Sequence, residues 1–500
     1  MKRRMFVRST LAATAAVAVP RSRSFASLFR EAPQEPPDVP AITGAGNEIV
    51  LPGKDIAELA ARMEGPVLLA GDDGYEVSRL ILNPSFDKYP ALVVRPTGVA
   101  DIRAAVDFAR EHDNLLVAVK CGGHSASGKS TCDGGMQIDL SLFRDVRIDP
   151  NARTAWVSGG SLLGPVDREA MAFGLVTTMG TVSHTGAGGL VTGGGFGRLG
   201  RRFGLSIDNL KSVDIVTADG EWHHANAREN EDLFWAVRGG GGNFGIVTSF
   251  EFQLHPMQRQ VVGGAMVFPI ESARDLLTMY SEYSHESPDE LAMGFFVSYP
   301  DGRDPACGVA VCYSGPESEA EKVLAPIAKV GTPVFDGFKA MDYVALQKSG
   351  DTDDPRARAS YLKSGFVSEM SGALIDDILQ GLEGGPGRDA AVFFQQSGGA
   401  INRVANDATA FAYRDAMGNL LSAVDWAHGV DPSEHIAWER EYWKSLESHT
   451  NGWYVNDQPL DGGMAVNANF RGNYERLAAV KKQYDPDNLF RLNANIRPSA

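Results

Sequence analysis

The sequence predicts an α+β fold whose cofactor site is built from loops. Three observations lead there. A strand–helix–strand run over residues 91–119 gives way to a meander of short strands separated by turn residues. The 55 glycines are clustered, not periodic, which marks tight ligand-cradling loops and excludes a collagen-like chain. With 500 residues at 43% hydrophobic, the chain has ample material for a buried core and more than one structural unit.

The elements follow from local pattern. Residues 48–90 hold two helical stretches, around Asp55–Met63 and Tyr75–Leu82. Ala91–Pro96 reads as a short buried strand, Val99–His112 as an amphipathic helix and Leu115–Val119 as a second strand. Strands at Met136–Leu140, Val146–Asp149 and Thr154–Val157 lead into a helix over Ser161–Phe173 that stops at Gly174. Val213–Gly220 is a strand entering a turn, Asp232–Arg238 a short helix and Ile246–Phe252 a closing strand. After His255-Pro256 the glycine clusters thin out. Strands at Gly263–Phe268, Ala292–Ser298 and Gly308–Tyr313, with helices between them, suggest a second domain over 261–450. No repeat and no low-complexity tract appears.

Composition narrows the function classes. A net charge of -16 makes nucleic acid a poor partner, because phosphate binding needs a basic face. No apolar run reaches the roughly 20 residues that span a bilayer as a helix. The N-terminus stands apart. Lys2-Arg3-Arg4-Met5-Phe6-Val7-Arg8 precedes a short, mildly apolar run from Leu11 to Pro20, the pattern of an export signal. Arg3-Arg4 followed by Phe6-Val7 resembles a twin-arginine signal. The expected partner during export is therefore the twin-arginine translocase, and the expected location periplasmic or secreted. Residues 1–30 hold seven Lys/Arg and no acids, so their removal takes the net charge from -16 to -23. Residues 31–47, rich in Pro and Glu, read as a linker. Cys121, Cys132, Cys307 and Cys312 have no zinc-like spacing, and no metal site is expected. Export would permit Cys121–Cys132 or Cys307–Cys312 disulfides; free buried thiols are equally compatible.

Four segments carry the chemistry. In Val119-Lys120-Cys121-Gly122-Gly123-His124-Ser125 a strand runs into two glycines and a histidine, and the paired glycines allow the backbone to approach a ligand closely. The second cluster runs from Gly180 to Gly197 and is followed by Gly204-Leu205-Ser206-Ile207-Asp208-Asn209; its small residues let N–H groups converge on an anion such as a pyrophosphate. It contains Gly195-x-Gly197-x-x-Gly200 with Asp214 beyond. Gly193 and Gly194 stand where a dinucleotide fingerprint needs a hydrophobic strand, which argues against a nicotinamide site. The third segment is Glu231–Val247, with Gly239–Gly242 and Asn243-Phe244-Gly245-Ile246-Val247. The fourth joins Tyr474–Leu477 to Tyr484-Asp485-Pro486-Asp487-Asn488-Leu489-Phe490-Arg491-Leu492-Asn493.

In that order the four segments resemble the berberine bridge enzyme-like FAD-linked oxidases, over roughly residues 50–500. The resemblance implies a two-lobed PCMH-type FAD-binding domain over 48–260, an inserted substrate domain of antiparallel sheet and helices over 261–450, and a C-terminal segment, 451–500, that completes the FAD domain. It implies that His124 carries FAD covalently. Further cofactor contacts fall on Gly122, Gly123, Ser125, Gly128, Gly180, Thr185, Gly186, Gly189, Gly193, Gly194, Gly195, Asn243, Gly245, Ile246, Val247 and Asn493. Many members add a second link through a cysteine in a Gly-x-Cys-Pro loop. Here Val182 stands at that position, so a single link through His124 is expected. Three residues on, a valine-like side chain admits oxygen to the flavin, and Thr185 is close to valine in shape.

The expected reaction is oxidation of a small-molecule alcohol, hemiacetal or amine, with O2 as acceptor and hydrogen peroxide as product. A dehydrogenase with another acceptor, or a non-catalytic flavin- or ligand-binding module, is the alternative. The family's catalytic tyrosine matches Tyr454 in Tyr454-Val455-Asn456, a base only if its pKa falls well below the usual ~10. The family's second tyrosine is replaced by Asp457. Gln396 is expected to polarise Tyr454 or hold a substrate hydroxyl. Arg414 is expected in a structural Arg–Asp pair, and His184 either tunes the ring or is structural.

Overall fold

The computed structural model describes residues 35–352, 354, 356–384, 387–457 and 466–499. The expected export segment, residues 1–30, lies outside them.

The first lobe is a four-stranded sheet in the order Val67–Leu68, Leu92–Val94, Met136–Asp139, Val117–Lys120. Met136–Asp139 pairs in parallel with both of its neighbours. Parallel pairing needs a crossover, and the helix Val99–Glu111 supplies it. Ile102, Ala105, Val106 and Ala109 form its buried face. The crossover delivers Val117–Lys120 so that its C-terminal end opens into the Gly122-Gly123 loop.

The second lobe is a five-stranded antiparallel sheet in the order Trp222–Asn226, Leu210–Val216, Ile246–Gln253, Thr154–Ser158, Val146–Asp149. Alternation along Ile246–Gln253 buries Phe250 and Phe252 completely. The third sheet is antiparallel and begins where the glycine clusters end. Its main path runs Phe335–Asp336, Gln260–Pro269, Ala306–Tyr313, Leu291–Tyr299, Arg388–Gln396, Gly418–Ala427, Arg358–Val367. Helices Ala273–Glu286, Gly372–Gly381 and Ser433–Glu447 share a core with it through Leu277, Ile378 and Leu446.

The C-terminal helix Tyr474–Tyr484 returns to the first two lobes. Its Lys481 is fully buried and donates to the carbonyls of Asn243 (2.7 Å) and Phe490 (2.8 Å) and to Asp485 (2.5 Å). Leu489 and Phe490 enter the core of the first lobe, and Leu477 and Ile496 that of the second.

Two sequence expectations are corrected here. Val39–Ile42, assigned above to a linker, pairs with Glu48–Leu51 as an antiparallel hairpin. Residues Ala187–Gly193, expected as loop, form a short helix, because burial of Ala187 and Val191 outweighs the poor helix propensity of glycine. All four cysteines are free thiols. Among the described residues, no helix is long and apolar enough to cross a membrane, and no His/Cys/Asp/Glu group has the arrangement of a metal site.

Candidate active site

The Gly122-Gly123-His124 loop and the loop before Ala187 touch through their glycines. A Cβ on Gly122 would lie 2.3 Å from the Gly186 nitrogen, and one on Gly186 would lie 2.3 Å from the Gly122 nitrogen. Only two glycines allow this approach. The contact brings His124 beside the second loop, where its Nε2 lies 2.7 Å from His184 Nδ1 and its Nδ1 3.4 Å from Thr185 Oγ1. Burial, with a smaller contribution from His184, lowers the His124 pKa to about 4. His124 is therefore a neutral imidazole at neutral pH, the nucleophilic form.

His124 lies on the wall of a cavity of about 350 Å³. All three regions of the fold contribute to that wall. The first lobe gives Val119, Cys121, Ser127 and Lys129; the second gives Gly188, Gly189, Ile246 and Val247; the third sheet gives Gln395. Tyr454 and Asp457 line it as well, as do Phe490 and Asn493 of the C-terminal segment.

Tyr454 is buried beneath Phe196, whose ring stands edge-on at 5.2 Å. The Gly195 N–H and Asn456 Nδ2 each donate to Tyr454 Oη at 2.8 Å. Gly195 has φ +85, which glycine adopts without strain, and a Cβ there would meet Ser206 Oγ at 2.2 Å. The two donors favour the phenolate, but burial outweighs them and pushes the tyrosine pKa above its ordinary value. The condition for a base at neutral pH, a pKa well below the ordinary value, is therefore not met: at neutral pH Tyr454 is a phenol.

Of the residues expected around the cofactor, Gly122, Gly123, His124, Ser125, Gly180, Thr185, Gly186, Gly189, Gly245, Ile246, Val247 and Asn493 line the cavity. Others have different positions. Gly128 packs against Phe86, where a Cβ would come within 2.5 Å of the ring. Gly193, Gly194 and Gly195 pack on Asn456, Phe411 with Tyr454, and Ser206, so they support the tyrosine from behind. Asn243 is fully buried; its amide donates to the carbonyls of Gly240 and Ala494 and its oxygen accepts from Ile496 N, tying this loop to the C-terminal segment. Gln396 also turns away, its Oε1 accepting from Met293 N at 2.9 Å. Gln395 takes the cavity wall instead, because neighbouring strand residues face opposite ways. Arg414 pairs bidentately with Asp208 at 2.7 Å, and the adjacent Asp415 pairs with Arg471.

Pattern reasoning does not single out Lys129, Gln395 or Arg491 as site residues. Lys129 follows Gly128 in the histidine loop, and burial lowers its pKa to about 8. Asn419, opposite Gln395 in strand register, donates through Nδ2 to Gln395 Oε1 (3.0 Å) and Asp457 Oδ2 (2.9 Å). Burial raises the Asp457 carboxyl to about 7 against the pull of Asn419.

The wall fits a flavin dinucleotide. A Cβ on Gly189 would meet no protein atom within 4 Å, so at this wall position a side chain would occupy space left for a ligand. The buried Ser130 Oγ on the same wall has no hydrogen-bond partner among the described residues. Lys129 and Arg491 provide positive charge suited to phosphates.

Comparison with known proteins agrees. Residues 90–226 match the model of a FAD binding domain and residues 453–497 that of the berberine and berberine-like family. A FAD-linked oxidoreductase of Dictyostelium discoideum is 32% identical over 448 residues, covering 89% of this chain and 97% of that protein. The chain belongs to the berberine-bridge-type FAD-linked oxidoreductases. A second relative, (R)-6-hydroxynicotine oxidase of Paenarthrobacter nicotinovorans, is 30% identical, covering 87% of this chain and 97% of the relative. The crystal structure of 6-hydroxy-D-nicotine oxidase from Arthrobacter nicotinovorans superposes with a TM-score of 0.78 at 27% identity, over 87% of this chain and 98% of that one. The chain is thus a FAD-dependent oxidoreductase with the α+β architecture of its family.

Proposed function

We propose that this protein is an oxidase that carries FAD through a single covalent bond to His124, oxidises a small alcohol, hemiacetal or amine, and delivers the electrons to O2 as hydrogen peroxide. The observation that supports the single link is a neutral histidine on the cavity wall with one ring nitrogen held by His184. Cys121 lines the same cavity, but burial raises its thiol to about 11, so it offers no thiolate as a second attachment point. Val182 at the family's cysteine position points the same way.

FAD, when bound, supplies the two-electron chemistry that no side chain provides. In its phenolate form, which grows as pH rises, Tyr454 takes the proton of the reacting O–H or N–H at its Oη, and Gly195 N–H and Asn456 Nδ2 stabilise that phenolate before the transfer. Phe196 and Phe411 shield it from water. Thr185 keeps the cavity wall beside His124 small, which favours entry of oxygen. The segment at residues 1–30 is proposed to send the folded, cofactor-loaded protein through the twin-arginine translocase to the periplasm or beyond.

The test is anaerobic reduction of the purified holoprotein followed by admission of air. Reoxidation much faster than that of free reduced flavin, with one hydrogen peroxide per flavin, is expected. Reoxidation only on addition of a quinone or protein acceptor would replace the oxidase with a dehydrogenase.

A further inference from the structure

Asp457 is the one acidic side chain among the described residues of the cavity wall. From the third sheet it faces Asn419, which is fully buried and gives its amide N–H groups to Asp457 and Gln395. From its own segment it faces Tyr454, whose phenol it acts on electrostatically. Among the described residues, no cationic side chain bears on its carboxyl. The two cations of the wall are engaged at the C-terminal segment: Lys129 donates to the carbonyl of Asn493 and Arg491 to that of Asn488.

A carboxyl drawn out of water without a cation is costly, and a charged donor is the partner that restores most of the loss. Charge-assisted hydrogen bonds are about twice as strong as neutral ones. Asn419 occupies one carboxylate oxygen, Oδ2, and so fixes the side chain. We propose that Asp457 anchors a basic nitrogen of the substrate, so that the cavity selects amines over alcohols of the same shape. This rests on the oxidase reading above and narrows its substrate class to small molecules with a protonated nitrogen within reach of Tyr454.

The experiment uses the protein as purified, with isothermal titration of benzylamine and of benzyl alcohol at about pH 8 and about pH 6, on either side of the Asp457 titration. Benzylamine stays protonated at both. At the higher pH it is expected to bind about tenfold or more tighter than benzyl alcohol. The gap narrows at the lower pH as the carboxylate takes up a proton. Asp457→Asn removes the gap at both, and Asp457→Glu retains it. Equal affinity for the two ligands, no benzylamine binding, or a gap that survives Asp457→Asn overturns the proposal. Flavin absorbance of the same sample is read separately. Flavin without a gap defeats only the role of Asp457; a gap without flavin defeats the oxidase reading and leaves the anchor standing.

Discussion

His124 Nε2 lies 2.7 Å from His184 Nδ1, and the two rings are 4.7 Å apart. One of the two nitrogens carries the shared proton. With the proton on His124 Nε2, its Nδ1 holds a bare lone pair beside Thr185. The other tautomer puts a proton on Nδ1 and removes its nucleophilicity. By accepting a hydrogen bond from His124 Nε2, His184 would hold His124 in the form suited to the proposed flavin link. Replacing His184 by Ala should leave FAD bound but raise the fraction released by acid from near zero to most of it. The measurement is flavin in the supernatant after precipitation. Unchanged retention would show that His184 has no part in attachment.

Tyr454→Phe keeps the ring against Phe196 and removes the oxygen that Gly195 and Asn456 address. Loss of an acid–base group of this kind lowers turnover by roughly 10²–10⁴-fold. Because burial holds the phenol above its ordinary pKa, the reactive phenolate grows as pH rises. Flavin reduction by a substrate should therefore accelerate towards alkaline pH in the wild type and lose that limb in Tyr454→Phe. A rate that falls with rising pH through this range would contradict the assignment.

The glycine contact between the two flavin loops is a packing constraint that can be tested without a substrate. Gly122→Ala places a methyl 2.3 Å from the Gly186 nitrogen, and backbone has no rotamer with which to move aside. Overpacking of this kind costs about 1–3 kcal/mol. Thermal unfolding of Gly122→Ala should show a lower Tm and weaker flavin retention. Gly189→Ala, whose methyl meets no protein atom within 4 Å, should keep its Tm while binding flavin less well.

Asp167 supplies a pH-dependence of stability away from the cavity. It is buried, accepts from Gln347 Nε2 at 3.1 Å, and burial raises its carboxyl to about 8. A carboxyl with a raised folded pKa stabilises the fold fully below its unfolded value, about 4. That contribution is lost as pH rises through the folded value. Tm should accordingly fall between about pH 5 and about pH 8, and Asp167→Asn should flatten the fall, since each pKa unit is worth about 1.4 kcal/mol. Identical pH profiles for the two proteins would show that Asp167 does not drive the loss.

Much of this architecture is legible in the sequence because its motifs are local. The strand into Gly122-Gly123-His124 and the Glu231–Val247 run carry their chemistry within a few residues, and the backbone conformation they need leaves glycine in view. What depends on distant pairing is hidden. Gln395 and Gln396 are equivalent in sequence; only the register that sets Gln395 opposite Asn419 decides which one faces the cavity. Gly193–Gly195 look like cofactor contacts, yet their smallness accommodates Asn456, Phe411 and Ser206 from elsewhere in the chain. Asn243, which the motif presents as a cofactor contact, fastens Gly240 to Ala494 and Ile496 and does not line the cavity. The short helix at Ala187–Gly193 forms against residue propensity, through burial that no local window reveals.

The most direct test of the whole account is to denature the purified holoprotein in acid, digest it, and locate flavin by peptide mass. Flavin on the peptide that contains His124, and on no cysteine peptide, is the predicted result. Flavin released entirely into the supernatant, or found on the peptide that contains Cys121, would contradict it.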